Sequence, residues 1–337
     1  MKLHRRRFLQ RALIAGGALA LSDRRLLHRA LAQEDAELSG NISPVHDPCI
    51  IKEDDTYYLF CTGAWLPIRA SKDLVEWELL GNTFRGLAPW AREAIPRADS
   101  IWAPDISFFN DRYYLYYSVS TFGSNRSVIG LATNATLNRN SPDYEWVDEG
   151  LVVETHEGDD HNAIDANVVL DDEGTPWMSY GSHWSGIKMR RLDPETGKPS
   201  VEDDTLYALA SRPDHPRAVE APFIIQTGGF YYLFVSFDQC CRGVISTYRV
   251  MVGRSEDVTG PYVDRDNVPM LEGGGTQVTF ETDRWRGPGH NAVLHDGDQD
   301  YLVFHAYDAR RVGIPTLRIT PIIWDDDGWP TIAMGSE

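Results

Sequence analysis

Residues 46–60 read HDPCIIKEDDTYYLF, an acid at Asp47 followed about ten residues later by a short aromatic strand. The same order recurs four more times, opening at Asp105, Asp165, Glu220 and His290. These five positions lie about 55 to 70 residues apart. A repeat of this length is typical of a radial array of small antiparallel sheets, in which the same position of every repeat lies near the central axis. The sequence therefore predicts a central pocket that gathers several of these side chains.

Each repeat also has the pattern of a β-hairpin. A short apolar strand follows the opening residue, a turn rich in Asp, Asn or Gly comes next, and the aromatic strand follows that turn. No helical periodicity is sustained over three turns. We therefore predict an all-β fold, a five-bladed β-propeller that forms one catalytic domain over residues 33–337. A β-sandwich or a parallel β-helix is the alternative, but neither brings one position of all five repeats to a common axis.

The first 32 residues have the features of an export signal and not of the fold. Arg5-Arg6-Arg7 precedes an apolar run at 12–21, and Ala30-Leu31-Ala32 supplies small residues for cleavage. The apolar run is too short to span a bilayer. We predict a twin-arginine-type signal over residues 1–32 and a periplasmic or extracellular protein; a basic amphipathic start or a membrane anchor is the alternative.

Removal of that signal makes the chain strongly acidic. The segment carries eight Lys/Arg and one Asp, so its loss lowers the net charge from −18 to about −25. A surface of this sign repels phosphate groups, which argues against nucleic acid and anionic membranes as partners. It is compatible with a neutral polymer as substrate, and we expect a monomer.

The four cysteines do not form a disulfide scaffold or a zinc site. Cys49 and Cys61 flank a predicted turn and face each other only if the strand register allows it. The adjacent pair Cys240-Cys241 either closes a vicinal disulfide or stays reduced.

The five opening residues have structural alternatives when each is considered alone. An Asp before Pro is usually a turn former, and a buried His is often a hydrogen-bonded core residue. Together, however, they crowd like charges near one axis, which costs several kcal/mol in a poorly solvated site. Such a cost favours a functional carboxylate cluster.

Motifs around these residues resemble glycoside hydrolase family 43, and within it the arabinan-cleaving members. They are His46-Asp47-Pro48, Ile101-Trp102-Ala103-Pro104-Asp105-Ile106, Thr121-Phe122-Gly123-Ser124-Asn125, His161-Asn162-Ala163-Ile164-Asp165, Gly181-Ser182-His183-Trp184-Ser185-Gly186, Val219-Glu220-Ala221-Pro222-Phe223, Cys240-Cys241-Arg242-Gly243 and Gly287-Pro288-Gly289-His290-Asn291. The set covers nearly the whole chain after residue 32. Ala166 follows Asp165, where the family commonly has Pro.

The resemblance implies an inverting hydrolase of α-1,5-linked L-arabinofuranosyl chains, acting on plant cell-wall arabinan or arabino-oligosaccharides. By this resemblance Asp47 is the general base, Glu220 the general acid and Asp165 the residue that tunes the pKa of the acid, which the apolar neighbours of Glu220 are expected to raise. An inverting site holds its base and acid roughly 6.5–9.5 Å apart, with a water between them. The resemblance also implies a calcium ion linked to His290. The expected substrate-binding residues are His46, Trp102, Asp105, Phe122, Gly123, Asn162, Ala163, Ile164, Ser182, His183 and Trp184.

Three alternatives remain open from the residues alone. The first is an exo-acting α-L-arabinofuranosidase or β-xylosidase of the same family, because the loops at the pocket mouth decide whether a chain passes through. The second is a fructan-cleaving propeller enzyme, which works with retention. The third is a non-catalytic sugar-binding propeller, although all three proposed catalytic acids are present.

Overall fold

Five small sheets account for nearly all regular structure in the computed structural model, which describes residues 37–213 and 218–333. Blade 1 contains β1 (Ser39–Gly40), β2 (Cys49–Glu53), β3 (Thr56–Phe60), β4 (Pro67–Ser71) and β5 (Glu76–Asn82). Blade 2 contains β6 (Trp102–Phe109), β7 (Arg112–Val119), β8 (Ser127–Asn134) and β9 (Val147–Thr155). Blade 3 contains β10 (Asn167–Leu170), β11 (Pro176–Tyr180), β12 (Ile187–Arg191) and β13 (Tyr207–Ala210).

Blades 4 and 5 complete the ring. Blade 4 contains β14 (Val219–Thr227), β15 (Phe230–Phe237), β16 (Arg249–Ser255) and β17 (Thr276–Gln277). Blade 5 contains β18 (Trp285–Asp296), β19 (Gln299–Asp308), β20 (Ile314–Trp324) and β21 (Pro330–Ile332). Helical structure in the described residues is limited to α1 (Pro89–Ala94) and three short 3₁₀ turns, Gly243–Ile245, Met270–Glu272 and Ala309–Arg311.

The sheets are antiparallel meanders, apart from β1, which pairs in parallel with β5. The strand that contains or directly follows each opening residue is the innermost one. These strands, β2, β6, β10, β14 and β18, contact one another in cyclic order and close the ring. The predicted all-β fold, a five-bladed β-propeller, is confirmed. The predicted export signal at 1–32 lies outside the described residues.

The aromatic strands read as continuous apolar runs because both of their faces are buried. In β7, Tyr113, Leu115 and Tyr117 pack in the core shared with blade 1. Tyr114 and Tyr116 pack in the core shared with blade 3. Successive side chains of a strand point to opposite faces, so each aromatic strand joins two neighbouring blades and fixes the angle at which their inner strands meet.

The cysteines resolve the alternatives that the sequence left open. Cys49 pairs in register with Phe60 and not with Cys61, and both cysteines are buried free thiols. Cys240 and Cys241 form a vicinal disulfide. No helix among the described residues is both long and apolar enough to cross a membrane.

Candidate active site

Each blade enters its inner strand through one non-glycine residue in the left-handed backbone region. The φ angles are 51° at Asp47, 41° at Ala103, 58° at Asp165, 54° at Ala221 and 49° at His290. Such conformations are uncommon for residues other than glycine and persist only when the surroundings hold them. Their recurrence at the same point of every blade marks a shared structural device at the hub.

A side chain of the preceding blade holds each of these residues by its backbone N–H. The acceptors are Thr62 for Ala103, Ser118 for Asp165, Asp165 itself for Ala221, Ser236 for His290 and His305 for Asp47, at 2.8 to 3.2 Å. We call these five hydrogen bonds the blade latches. They orient the chain where it reaches the axis, so the hub is set by contacts between blades.

The residues with a left-handed backbone conformation show which position is equivalent in all five repeats. Asp47, Asp165 and His290 occupy equivalent positions, whereas Ala103 and Ala221 hold that position in blades 2 and 4. Asp105 lies two residues after it and Glu220 one residue before it, and the β6–β7 and β14–β15 ladders both have a shift in register there. The sequence-based equivalence of all five residues was therefore wrong for Asp105 and Glu220.

Asp47 lies in a basic environment. Its Oδ1 contacts Nδ1 of His46 at 2.8 Å and Nδ1 of His290 at 3.0 Å, and Thr62 Oγ1 donates a 2.6 Å hydrogen bond to Oδ2. Burial favours the neutral acid, but the charges and hydrogen bonds of the two histidines outweigh it and hold the pKa of Asp47 well below its usual range. Asp47 is therefore ionised at neutral pH, as a general base requires.

Asp165 and Glu220 are buried carboxyl groups that influence each other's ionisation. Burial and the negative charge of Glu220 outweigh the attraction of His290 and raise the pKa of Asp165 to about 7. Burial also disfavours ionised Glu220, but contacts with His183, Tyr248 and Ser182 outweigh it and lower the pKa of Glu220. Burial thus acts in the direction that the sequence predicted, and the three partners, whose contacts with Glu220 no sequence motif indicated, reverse the net shift in the pKa of Glu220.

The partners of Glu220 are well defined. Tyr248 Oη donates to Oε1 at 2.6 Å and Ser182 Oγ donates to Oε2 at 2.8 Å. Nε2 of His183 lies 3.4 Å from Oε2, and its ring is half exposed. The longest and most exposed of the three contacts is thus the one to an imidazole.

These groups border one cavity of about 1040 Å³. It is lined by all three proposed catalytic acids, by His290, which was expected near a metal ion, and by most of the expected substrate-binding residues: His46, Trp102, Phe122, Gly123, Asn162, Ile164, Ser182, His183 and Trp184. Phe122 is 84% exposed and Trp184 is 38% exposed. Exposed aromatic faces beside polar groups suit sugar rings, which have apolar C–H faces and hydroxyl edges.

Two expected substrate-binding residues do not line this cavity. The Asp105 carboxylate accepts hydrogen bonds from Asn167 Nδ2 at 3.1 Å and from the Val168 backbone at 2.9 Å, which joins blade 2 to blade 3. Burial raises its pKa to about 6. Ala163 is fully buried in the core between the same blades. The sequence motif does not reveal which side of the inner strand faces the axis, so it did not show that both residues lie in the interior.

His290 contributes an imidazole to the hub. Burial disfavours its charged form, but the Asp47 carboxylate outweighs this and raises the pKa of His290 to about 9. Its Nδ1 is paired with Asp47, and while the ring is protonated its Nε2 carries a hydrogen, so this nitrogen can contact an ion only through a water molecule. Calcium prefers oxygen ligands, and both oxygens of Asp47 already have partners. These residues therefore fit only an ion whose other ligands are mostly water.

Several functional contacts come from residues that no motif indicated. Thr62 joins Asp47 to the latch of blade 2, and Tyr248 holds Glu220. Tyr307 shares a 2.8 Å hydrogen bond with Nε2 of His46. His46, Asp47 and His305 lie close enough to hold a metal ion, but His305 Nδ1 accepts the Asp47 N–H and its ring stacks on His46. Thr62 and Tyr307 lie near the ends of aromatic strands or just beyond them, the one sequence signal they share.

The family model for glycosyl hydrolases family 43 matches residues 42–330. The chain belongs to glycoside hydrolase family 43. Two similar relatives are the extracellular endo-α-(1→5)-L-arabinanase 1 of Bacillus subtilis, 42% identical over 85% of this chain and 87% of the relative, and the extracellular exo-α-(1→5)-L-arabinofuranosidase of Cellvibrio japonicus, 43% identical over 86% of each.

Solved structures of the family have the same fold. The family 43 endo-arabinanase from Bacillus licheniformis matches with a TM-score of 0.82 at 47% identity, covering 88% of this chain and 99% of that one. The Cellvibrio cellulosa α-L-arabinanase complexed with arabinohexaose matches with a TM-score of 0.82 at 41% identity, covering 86% and 95%. The match in fold therefore extends over most of this chain.

Proposed function

We propose that this glycoside hydrolase cleaves α-1,5-linked L-arabinofuranosyl bonds of arabinan with inversion at the anomeric carbon. The observation that supports it most strongly is a single cavity bordered by three buried carboxyl groups from three blades. The pKa of Asp47 is lowered, and Asp165 and Glu220 influence each other's ionisation. Relatives whose names refer to arabinan cleavage match this chain over nearly the whole fold, which supports arabinan as the substrate.

Asp47 acts as the general base in this proposal. Its ionised carboxylate accepts a proton from the attacking water, and His46, His290 and Thr62 hold it in one orientation. A low pKa makes Asp47 a weak base in the resting site. The strain on its backbone and its four polar partners point instead to accurate positioning of the water as its main contribution.

Glu220 acts as the general acid and needs a proton for this role. In the substrate-free site Asp165 has the higher pKa of the pair, and His183 is the strongest influence that keeps Glu220 ionised. We propose that substrate entry moves the half-exposed His183 ring away from Oε2, so that Glu220 takes up a proton while Asp165 becomes charged. Asp165 then favours protonated Glu220 through its negative charge.

Endo action is the mode that we propose, with exo action as the second candidate. A smaller cavity of about 420 Å³, lined by Asp160, Trp184, Ser185, Ser211, Arg212 and Pro213, shares Trp184 with the main one. Two adjoining cavities provide room for sugars beyond those at the cleavage point, which an internal cut requires. The exo-acting relative is about as similar to this chain as the endo-acting one, so exo action is the second candidate. Early products from linear arabinan separate the modes, since an endo enzyme releases mixed oligosaccharides before arabinose.

We also propose a calcium ion at the hub that is linked to His290 through water and has mostly water as its ligands. When bound, it would supply positive charge that stabilises the ionised carboxylates around the axis. Elemental analysis of dialysed protein should find about one calcium per chain, and chelation should lower the melting temperature. No bound calcium in active enzyme would remove this part of the proposal.

We propose that the protein is exported through the signal at residues 1–32 and acts as a monomer on arabinan outside the cytoplasm. The names of two relatives include the word extracellular, which supports export. Replacing Arg5, Arg6 and Arg7 by Lys should abolish export if the twin-arginine route is used. Export that persists would point to another route.

The decisive experiment combines stereochemistry with two variants. Proton NMR of arabino-oligosaccharide hydrolysis should show the β-anomer first, because inversion of an α-bond gives that product. Asp47→Ala and Glu220→Ala should each lose about 10²–10⁴-fold in turnover, and circular dichroism should show that each variant keeps the β-sheet fold. Retention of the anomeric configuration, or near-normal turnover of either folded variant, would overturn the assignment.

A further inference from the structure

The Cys240–Cys241 disulfide lies in the wall of the active-site cavity and has no role in the steps described above. It follows β15, at the loop that leads to the 3₁₀ turn Gly243–Ile245. Cys241 is exposed and Cys240 is half buried. The other two cysteines are buried free thiols, so within the described chain this disulfide is the sulfur group that faces the cavity.

The loop that carries the disulfide is fixed on several sides. The Cys241 N–H donates to Tyr307 Oη at 2.7 Å, across to blade 5. Gln239 and Thr247 close the base of the loop through a 2.9 Å backbone hydrogen bond, and the Arg242 N–H donates to Ser246 Oγ at 3.0 Å. The two sulfur atoms are therefore presented to the cavity in a fixed position and need no reorganisation to contact a ligand.

The chemistry of a disulfide suits one part of a sugar. It has no hydrogen-bond donor and its sulfurs are weak acceptors, so it offers a rigid apolar surface. The other large apolar groups of the cavity come from blade 2, with Trp102 and Phe122, and from blade 3, with Trp184. The disulfide supplies apolar surface from blade 4, where the remaining lining residues are mostly polar.

Its position relates this surface to the cleavage point. Cys241 Sγ lies 3.9 Å from Nε2 of His46, and Nδ1 of the same ring contacts the Asp47 carboxylate. A sugar that rests on the disulfide is therefore beside the proposed general base. Tyr307 contacts both the Cys241 N–H and the His46 ring, which keeps the two surfaces in register.

We propose that the Cys240–Cys241 disulfide forms the apolar wall of a sugar subsite next to the cleavage point, against the C–H face of an arabinofuranosyl unit. This inference rests on the proposed function. Reduction separates the sulfurs, lets each thiol rotate and adds two S–H donors, so it removes the rigid surface. Substrate then binds more weakly in a reducing medium, while the acids that perform the chemistry keep their positions.

The test compares oxidised and reduced wild-type enzyme on arabino-oligosaccharides. A phosphine reductant converts the disulfide and one water into two thiols and a phosphine oxide, and thiol titration confirms the gain of two thiols. We expect KM to rise roughly fivefold, the effect of losing about 40 Å² of apolar contact, with kcat within about twofold. An unchanged KM in fully reduced enzyme would overturn the proposal.

The double variant Cys240→Ala/Cys241→Ala is the matched control. It should have the raised KM without reductant and show no further change with it. A variant that loses kcat and melting temperature without a change in KM would instead assign the disulfide a purely structural role. If this variant does not fold, oligosaccharide binding to oxidised and reduced Glu220→Gln protein decides the question. Inactivity of oxidised wild-type enzyme on arabinan would count against the proposed function and not against the disulfide surface.

Discussion

Asp47 and Glu220 are both buried carboxyl groups, yet their neighbours prepare them differently. Asp47 faces two imidazoles, His46 and His290, whose rings are both largely buried at the hub. Glu220 faces two hydroxyl donors and one half-exposed imidazole. All three partners favour ionised Glu220, and His183 has the largest effect of the three. The ionisation of the proposed acid therefore depends on the one partner that a ligand can displace.

Replacing His183 tests this dependence. In His183→Asn the charge that lowers the pKa of Glu220 is lost, so the pKa of Glu220 rises. The acid then stays protonated to higher pH, and the basic limb of the kcat/KM profile, which reports the free enzyme, should move to higher pH. Trp184→Phe changes the neighbouring cavity residue without removing a charge and should leave that limb in place. An unshifted basic limb in His183→Asn would contradict the role given to His183.

Asp165 makes a second prediction about pH, this time for stability. Its folded-state pKa is about 7 against an ordinary value of 3.8. A carboxyl whose pKa is raised by folding costs stability as the pH rises from the unfolded to the folded value. Asp165→Asn should therefore gain stability over wild type between about pH 4 and pH 7, with the full gain above pH 7. Thermal melts across this range measure it, with chelator in every sample, and a constant difference would contradict it. Turnover should fall, since the pair loses its charge.

At the scale of elements, the blade latches explain why strained residues persist at the hub. Each left-handed residue would otherwise bury an unpaired N–H, which costs about 1–3 kcal/mol. A side chain from the neighbouring blade supplies the acceptor in every case. In blade 4 that acceptor is Asp165 itself, so a proposed catalytic residue is also one of the structural contacts between blades.

A pair of serine substitutions tests the latches. Ser118→Ala removes the acceptor of the buried Asp165 N–H and should lower the free energy of unfolding by about 1–3 kcal/mol, with a loss of turnover because Asp165 is no longer held. Ser107→Ala is the matched control in the same blade, since the buried Ser107 hydroxyl has no hydrogen-bond partner. Denaturant unfolding compares the two variants. Equal stability losses would show that the latch hydrogen bond contributes nothing specific.

The latches also mark where prediction from sequence stops. The repeated order of an acid followed by an aromatic strand was sufficient to predict the five blades and a cavity that gathers Asp47, Asp165 and Glu220. Hydrophobic pattern and turn chemistry are local signals, so a sequence reveals them. Asp105 was misassigned because a break in the ladder alters the facing of a strand, and a one-residue change of register reverses it. Ser118 and Tyr248 contact the site across blade boundaries, a distance that no local pattern describes.

At the scale of the molecule, the ring closes without a covalent bond between its first and last blades. Val45 and Leu317 donate backbone hydrogen bonds between blades 1 and 5, to Pro315 and Ile42 respectively. Lys52 and Tyr57 both contact the Asp296 carboxylate at 2.6 Å. One hydrophobic cluster contains Leu59, Val119 and Val303, from blades 1, 2 and 5. These contacts together join the first and last blades of the ring.

We expect the negative net charge of the protein to favour neutral arabinan over arabinan that is attached to a carboxylated polysaccharide. Without residues 1–32 the chain has a net charge of about −25 and only four lysines. Neutral linear arabinan does not sense this field, whereas arabinan chains attached to a carboxylated polysaccharide bring like charges towards the protein. The repulsion is screened over about 30 Å at 0.01 M salt and about 8 Å at 0.15 M.

We therefore expect the ratio of kcat/KM on carboxylate-bearing arabinan to that on linear arabinan to rise severalfold between these salt concentrations. Activity on the linear polymer should change little and serves as the control. The same comparison after methyl esterification of the carboxylates should abolish the salt dependence, because the chains and their bonds are unchanged and only the charge is lost. Equal salt responses for all three polymers would show that the acidic surface has no influence on how substrate approaches the hub.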